Sequence, residues 1–239
     1  MTRSILPLTL RDVVFEAGGQ RLLSGISASI GAEGRTFVLG PNGAGKSLTL
    51  RIAHGLLAPT SGSVDWHGEE PKWARGRQAM LFERPILLRR SALANVEYAL
   101  SLRGVRGSER RVRALEYLAR TGLARLADRP ARVLSAGEQQ RLTLARCWAT
   151  EPELLFLDEP TAALDPAATR AVEAIIDSIA LAGTKIIMTT HDMAQARRLA
   201  DDVLFLNRGC LLERGPAKDF FESPVSEEAQ AFIRGELLW

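Results

Sequence analysis

The most constraining feature of the sequence is a glycine-rich segment that follows a short apolar run. Residues 36–39 predict a buried strand, residues 40–47 read Gly-Pro-Asn-Gly-Ala-Gly-Lys-Ser, and a helical pattern follows. Glycines at 40, 43 and 45 would let backbone amides curl around an anion without a Cβ in the way. This order of strand, loop and helix predicts a phosphate-binding loop. In such a loop Lys46 reaches the β- and γ-phosphate oxygens of a nucleotide, and the Ser47 hydroxyl ligates Mg²⁺.

A chance match in a strand-turn-helix connection is the alternative, but four fixed positions rarely coincide by accident in a chain of this size. The residues that we expect to contact the nucleotide here are Gly40, Pro41, Asn42, Gly43, Ala44, Gly45, Lys46, Ser47 and Leu48.

Composition excludes several other classes of protein. The chain has 239 residues, of which 46% are hydrophobic and 25% charged, as is typical of a globular domain with ample core. Its net charge of +3 comes from arginines spread along the chain, which we interpret as solvated faces and not as a nucleic-acid surface. Cys147 and Cys210 are isolated, so they predict neither a zinc site nor a disulfide. No apolar run approaches the roughly 18 residues that span a bilayer, so a role at a membrane would need a partner.

The remaining pattern predicts an α/β chain with a mostly parallel central sheet. An antiparallel β part opens the chain, a helical insertion interrupts it, and strands and helices then alternate. Within the insertion, Ser108 is predicted to be the N-cap of a helix. The predicted strands are residues 8–15, 22–30, 36–39, 64–66, 79–82, 154–157, 185–190, 203–206 and 211–214, with an amphipathic tail from Lys218 to Trp239.

Two carboxylates follow the apolar strand 154–157. In open parallel sheets ligands lie beyond the carboxyl ends of the strands, so Asp158 is placed to hold Mg²⁺ through water. Glu159 is placed to accept a proton from, or orient, a water that attacks the γ-phosphate. The pair could alternatively cap the next helix. Downstream of a phosphate loop, the catalytic interpretation is favoured.

A second anion-binding device is predicted at the start of another helix. Leu134 is followed by Ser135, Ala136, Gly137 and Glu138, a small polar turn that opens a helical segment. Helix N-termini attract anions, although a plain structural N-cap is the alternative. The chain already has one phosphate loop, so a second one calls for a second nucleotide or a second molecule.

These motifs together resemble the nucleotide-binding subunit of ATP-binding cassette (ABC) transporters over nearly the whole chain. Residues 40–47 match the first motif of that family, and residues 134–138 resemble its signature, normally Leu-Ser-Gly-Gly-Gln. Asp158 and Glu159 match the second motif, residues 163–165 the loop where two subunits meet, and His191 the switch histidine.

The resemblance implies a P-loop NTPase (RecA-like) fold within a single ABC ATPase domain, residues 1–239. Residues 1–85 and 151–217 would form the nucleotide-binding core, 86–150 the helical subdomain with the signature, and 218–239 a helical tail. It also implies ATP and Mg²⁺ as ligands, with Glu159 and His191 catalytic. Two copies would form a head-to-tail dimer in which the Lys46, Asp158 and His191 side of one copy faces Ser135 and Gly137 of the other.

The implied partners are membrane permease subunits and a periplasmic or extracellular solute-binding protein. The chain would then be cytoplasmic and peripheral on the inner face of the cell membrane. Residues 84–91 and 231–236 look like those of bacterial oxyanion importers for tungstate or molybdate. Importers of phosphate or polar amino acids are the alternative, and a soluble ABC ATPase acting on nucleic acid or ribosomes is an alternative of another class. A phosphate-loop kinase would leave residues 134–141 unexplained.

Three positions depart from the family pattern. Glu83 stands where the family usually has a glutamine, so it could bind Mg²⁺ with an extra charge. Ala17 occupies the place of the aromatic residue that stacks on adenine, and Phe15, expected on the same strand face, could substitute in part. Ala136 replaces a signature glycine and adds a methyl group near the partner's phosphate.

Overall fold

The computed structural model describes residues 4–236, so the predicted end of the tail at Trp239 lies outside the described residues. The strands are β1 (Leu8–Ala17), β2 (Gln20–Ile30), β3 (Arg35–Leu39), β4 (Ser61–Trp66), β5 (Gln78–Leu81), β6 (Leu154–Asp158), β7 (Lys185–Thr189), β8 (Asp202–Asn207) and β9 (Cys210–Pro216). The helices are α1 (Lys46–His54), α2 (Pro71–Arg75), α3 (Ala92–Leu102), α4 (Gly107–Arg120), α5 (Ala136–Ala149), α6 (Pro166–Leu181), α7 (Met193–Leu199), α8 (Ala217–Glu222) and α9 (Glu227–Ile233).

The chain forms two compact units. The first unit combines the segment up to Gln78 with the segment from Lys185 onward, and the second unit is Ala79–Thr184. In the first unit, β3 lies between β7 and β8 and pairs with both in parallel, while β9 pairs antiparallel with β8. β3 and β7 are almost entirely buried, as is typical of parallel strands covered on both faces.

The antiparallel opening of the chain is a three-stranded sheet in the first unit with β1 between β2 and β4. Together with the parallel strands and the helices between β5 and β6, it confirms the predicted fold class of an α/β P-loop NTPase. β4 is longer than the predicted strand 64–66, because Ser61 and Ser63 also pair with β1. Gly62 makes this possible, because a Cβ there would lie 2.2 Å from the carbonyl oxygen of Asp12 at a bulge in β1.

The second unit holds the signature helix and the two predicted carboxylates. β5 and β6 are neighbours, and all five residues of β6 are buried. Helices α3, α4 and α5 pack together, with Tyr117 and Trp148 edge to face at 5.9 Å between ring centroids. The predicted N-cap at Ser108 is wrong. α4 begins at Gly107, two residues before the start that a cap at Ser108 implies, with Arg106 in the N-cap position and no side chain as cap.

The C-terminal tail of the described residues consists of two short helices, α8 and α9. Phe220 and Phe232 pack against Phe205 of β8, with centroid distances of 5.6 and 5.2 Å. The Glu213 carboxylate accepts hydrogen bonds from the amides of Val225 and Ser226, which lead into α9. The tail is therefore part of the core of the first unit.

Candidate functional site

The phosphate loop leaves the carboxyl end of β3 through a backbone conformation that requires glycine. Gly40 has φ 144°, and a Cβ there would lie 2.0 Å from the carbonyl oxygen of Leu206 on the neighbouring strand β8. Gly45 has φ 96°, and its Cβ would lie 2.5 Å from Cδ2 of Leu23. Both residues therefore let the loop run close to the protein on its inner side.

The outer side of the loop is open. A Cβ on Gly43 would meet nothing within 4 Å, and Asn42 is exposed. Among the described residues, the amides of Asn42, Gly43 and Gly45 donate to no carbonyl, whereas the Ala44 amide donates to Pro41. Free amides at the start of α1 form a cradle that suits a phosphate group.

Lys46 closes this loop. Its ammonium donates hydrogen bonds to the carbonyl oxygens of Gly40, at 2.8 Å, and Pro41, at 3.0 Å, and the residue is only 8% exposed. Ser47 and Leu48 follow within the first turn of α1 and are half-buried. The positive charge and the free amides thus belong to the same eight-residue segment.

The first unit brings His191 to the same sheet edge. Val38 on β3 pairs with Thr189 on the parallel strand β7, so the two chain segments that follow these strands leave the sheet side by side. His191 lies two residues beyond β7 and is exposed. Asp192 caps α7 by accepting from the amides of Ala194 and Gln195, which fixes the backbone just after the histidine.

The carboxylates of the second unit differ in their environment. Asp158 ends β6 and is 2% exposed, whereas Glu159 is half-buried. Glu159 has φ 50°, a left-handed conformation that costs a non-glycine residue about 1–2 kcal/mol. Such strain concentrates at functional sites. The chain then turns through residues 159–164, where Ala162 donates to the Glu159 carbonyl.

The signature segment begins α5 with a capping box. Ser135 Oγ accepts from the Glu138 amide at 3.3 Å, and Glu138 Oε2 accepts from the Ser135 amide at 2.8 Å. That backbone donor, more than any other group, lowers the pKa of the Glu138 carboxyl. Ser135 and Ala136 are exposed, so the extra methyl group of Ala136 points away from the core. The residues that cap α5 are therefore the same residues that resemble the signature, so the two interpretations of this segment do not exclude each other.

Gly137 has a packing role that the sequence did not reveal. A Cβ on Gly137 would lie 2.8 Å from the Cβ of Ala168 on α6. The N-termini of α5 and α6 therefore approach closely, and Asp165 caps α6 by accepting from the amides of Ala167 and Ala168. Between the two helix starts lies a cavity of about 380 Å³. Its lining joins the signature to the predicted subunit-contact loop: Ser135, Ala136, Gly137, Glu138, Ala163, Leu164 and Asp165.

Glu83 is exposed two residues beyond β5. The loop that follows it is held by two side chains that sequence reasoning missed. Arg146 of α5 donates to the Ile86 carbonyl, and the fully buried Asn95 of α3 accepts from the Leu88 amide and donates to the Leu88 carbonyl. The Ile86 side chain is nevertheless 66% exposed. The loop thus presents an apolar side chain on a fixed backbone.

A third missed residue is Gln140 of α5. It is 3% exposed, and its amide nitrogen donates to the Pro160 carbonyl at 2.7 Å. Nothing in the sequence distinguishes it from Gln139, which donates to Leu134 within its own segment. The bond joins the signature helix to the residue after Glu159.

The structure also describes the two cysteines and the pair Phe15 and Ala17. Both cysteines are free, and burial raises the pKa of the Cys147 thiol to about 11. Phe15 is half-buried and Ala17 is exposed, and the register shift between Phe15 and Glu16 places the extra residue, Leu22, in the paired strand β2. Among residues 4–236, no group of three His, Cys, Asp or Glu side chains could hold a metal ion, and no helix is long and apolar enough to cross a membrane.

Comparison with known proteins identifies the class. Residues 23–162 match the family described as ABC transporter, a range that includes the phosphate loop, the signature segment and Asp158 with Glu159. The chain therefore belongs to the ABC transporter family and is an ATPase subunit of it.

Individual relatives agree with this assignment. The methionine import ATP-binding protein MetN of Caulobacter vibrioides is 37% identical over 95% of this chain and 72% of its own length. The tungstate uptake system ATP-binding protein TupC of Peptoclostridium acidaminophilum is 35% identical over 90% of this chain and 100% of its own length. CbiO1 of Clostridium perfringens, part of an ABC transporter complex, superposes with a TM-score of 0.81 at 28% identity, covering 91% of both chains. The ATP-binding cassette MJ0796, a dimer in a post-hydrolysis state with ADP and phosphate, has a TM-score of 0.78 at 28% identity, covering 88% of this chain and 98% of its own.

Proposed function

We propose that this chain is the ATP-hydrolysing subunit of a bacterial importer, and that it works as a dimer whose closure is driven by ATP. One observation carries the proposal: the chain has two separate devices suited to phosphate. One is the cradle of residues 40–47 with Lys46, and the other is the exposed, capped start of α5 at Ser135. A single-nucleotide enzyme has no use for the second device, whereas a head-to-tail dimer uses both.

In this proposal the nucleotide phosphates bind the free amides of the loop and the Lys46 ammonium. The donor set for Mg²⁺ suits a hard cation, because Ser47 offers a hydroxyl and Asp158 a carboxylate, with Glu83 as a further carboxylate. When bound, Mg²⁺ would neutralise charge on the phosphate oxygens. Glu159 accepts a proton from the attacking water, and the His191 imidazole contacts the γ-phosphate.

The second copy would supply Ser135, Ala136, Gly137 and Glu138 to the phosphates held by the first. The exposure of Ser135 and Ala136 supports this role, as does the dimeric ADP-bound relative. ATP would bind the closed dimer better than the open one, so loss of the γ-phosphate reopens it. Each cycle would thereby deliver a change of shape to attached membrane subunits.

The remaining partners would be two permease subunits in the membrane and a solute-binding protein outside it, with this chain peripheral on the inner face of the membrane. The loop after Glu83 supports a docking role. It has exposed Ile86, Arg89 and Arg90 on a backbone held by Arg146 and Asn95. A preordered loop docks at lower entropic cost than a mobile one.

For the substrate we propose an oxyanion such as tungstate or molybdate. The support is that the match to TupC covers 100% of that protein, whereas the match to MetN covers 72% of its length. Methionine is the second candidate, because that relative has the higher identity, 37% against 35%. A phosphate importer and an arginine/ornithine transporter subunit are also similar over more than 90% of this chain.

Uptake measurements test this proposal. The chain is expressed with its neighbouring membrane genes in cells lacking their own high-affinity systems, and uptake of tungstate, molybdate, phosphate, methionine and arginine is compared with that of cells carrying Glu159→Gln. Uptake of tungstate or molybdate that is lost in the variant supports the proposal. Uptake of methionine alone would overturn the oxyanion assignment and make methionine the substrate. Retention of the chain on ribosomes or nucleic acid, with no membrane subunit recovered in a pull-down, would favour the soluble class.

A further inference from the structure

We propose that Gln140 is a positioning residue for hydrolysis: it couples the signature helix α5 to the backbone that carries Glu159. The proposal rests on the proposed function, in which Glu159 activates water and the start of α5 binds the partner's nucleotide. The carrying observation is the hydrogen bond from the Gln140 side-chain amide to the Pro160 carbonyl, 2.7 Å long and buried.

The acceptor of this hydrogen bond, the Pro160 carbonyl, belongs to the residue after the strained Glu159. Glu159 has φ 50°, and Pro160 follows it directly and is buried. A left-handed glutamate persists only when its surroundings hold it there. Gln140 is a side chain from outside the loop that bonds to the carbonyl of the following residue, so it helps to hold the conformation that sets the direction of the Glu159 side chain.

The donor of this hydrogen bond lies on α5, the helix that begins at the signature segment. Gln140 lies five residues after Ser135 on α5, within the first one and a half turns of that helix. The close approach of Gly137 to Ala168 and the Asp165 cap fix the far end of the same loop against α5 and α6. A shift of α5 when its start binds phosphate would therefore move the Pro160 carbonyl with it.

This arrangement makes hydrolysis depend on dimer closure. In one copy, α5 contacts the nucleotide of its partner, and through Gln140 it adjusts that copy's own Glu159. Each site would then sense whether the opposite site is filled. The coupling is mechanical, because Gln140 itself touches neither nucleotide nor water in this proposal.

The test compares Gln140→Met, which keeps the length of the side chain and removes the donor, with a matched control. Thr184→Val removes a bond of the same kind at the other end of β6: Thr184 Oγ1 is buried and donates to the Pro152 carbonyl at 2.9 Å. Full-length proteins are assayed for steady-state ATP hydrolysis, for binding of a fluorescent ATP analogue and for thermal unfolding.

We expect Gln140→Met to lower kcat roughly 10- to 100-fold with KM for ATP changed less than about threefold, as for a displaced catalytic group. Thr184→Val is expected to lose about as much stability as Gln140→Met, because each loses one buried hydrogen bond, while its kcat stays within about threefold of wild type. Equal kcat losses in the two variants, or unchanged kcat in Gln140→Met, would overturn the coupling. A wild-type protein that binds no ATP analogue and hydrolyses no ATP would instead overturn the proposed function itself.

Two further readouts separate positioning from folding. In a Glu159→Gln background, Gln140→Met should still form the ATP-dependent dimer on gel filtration, because the defect follows closure; loss of that dimer contradicts the proposal. Gln140→Glu can donate only when its carboxyl is protonated, and burial favours that neutral form. Its kcat relative to wild type should rise as the pH falls from 8 to 6, and a flat ratio contradicts the proposal.

Discussion

The contact between Gly137 and Ala168 gives a prediction whose size follows from the structure. In Gly137→Ala the new methyl carbon would lie 2.8 Å from the Ala168 Cβ, whereas carbon atoms prefer separations of about 3.5–4.0 Å. The two helix starts must move apart by roughly 1 Å, and overpacking of this kind costs about 1–3 kcal/mol. Alanine's better helix propensity offsets at most about 1 kcal/mol of that.

We therefore expect Gly137→Ala to lower the free energy of unfolding by about 1–2 kcal/mol, which corresponds to a fall in Tm of roughly 2–8 °C for a chain of this size. Urea and thermal unfolding followed by circular dichroism measure this change. Gly215→Ala is the control, since a Cβ there meets nothing within 4 Å and its φ is ordinary; it should be neutral or slightly stabilising.

The double variant Gly137→Ala with Ala168→Gly isolates the contact. Removing the methyl group of Ala168 makes room for the new one, so the double variant should be more stable than the sum of the single changes predicts by about 1 kcal/mol. If Gly137→Ala is as stable as wild type, or if the two changes simply add, then the close approach of α5 and α6 does not limit the residue at position 137.

Four other changes test the site and the fold. Lys46→Ala should abolish binding of a fluorescent ATP analogue, because it removes the charge in the loop; unchanged binding would contradict the role of Lys46. Glu159→Gln should keep ATP binding, lose most turnover and leave a nucleotide-trapped dimer, whereas gel filtration with ATP that shows only monomer would argue against it. Glu83→Gln should alter the Mg²⁺ dependence of hydrolysis, and an identical Mg²⁺ titration would remove Glu83 from the metal site. Burial, with the nearby Arg75 charge, lowers the pKa of His54 to about 4; stability should therefore fall as pH drops from about 6.5 to 4, and His54→Gln should weaken that fall in urea titrations at pH 7 and 5.

The sequence allowed the strand, loop and helix around Lys46 to be predicted because the conformations of that segment depend on its own glycines. Gly40, Gly43 and Gly45 all have positive φ. These are local properties, and a local pattern predicts them. The antiparallel opening and the buried strands were predictable for a similar reason, because the spacing of apolar residues along a strand indicates whether one face or both faces are buried.

The features that the sequence did not reveal depend on contacts between residues that are far apart in the sequence. Gly62 lies outside the predicted strand 64–66, yet it belongs to β4, where it faces a bulge in β1. Gln139 and Gln140 are identical in type and adjacent, yet only one reaches the loop after Glu159. Serine is a residue type that often caps helices, but α4 begins before Ser108, at Gly107.

The Lys46 ammonium donates to two carbonyl oxygens of its own loop, those of Gly40 and Pro41. A phosphate group would compete with these carbonyl oxygens for the same ammonium, so the affinity measured for nucleotide depends on the difference between two sets of contacts. Deuterium uptake by this peptide segment would record that exchange directly. Small anions at high concentration in a buffer enter the same competition, so apparent dissociation constants for nucleotide should depend on whether sulfate or chloride is the counterion.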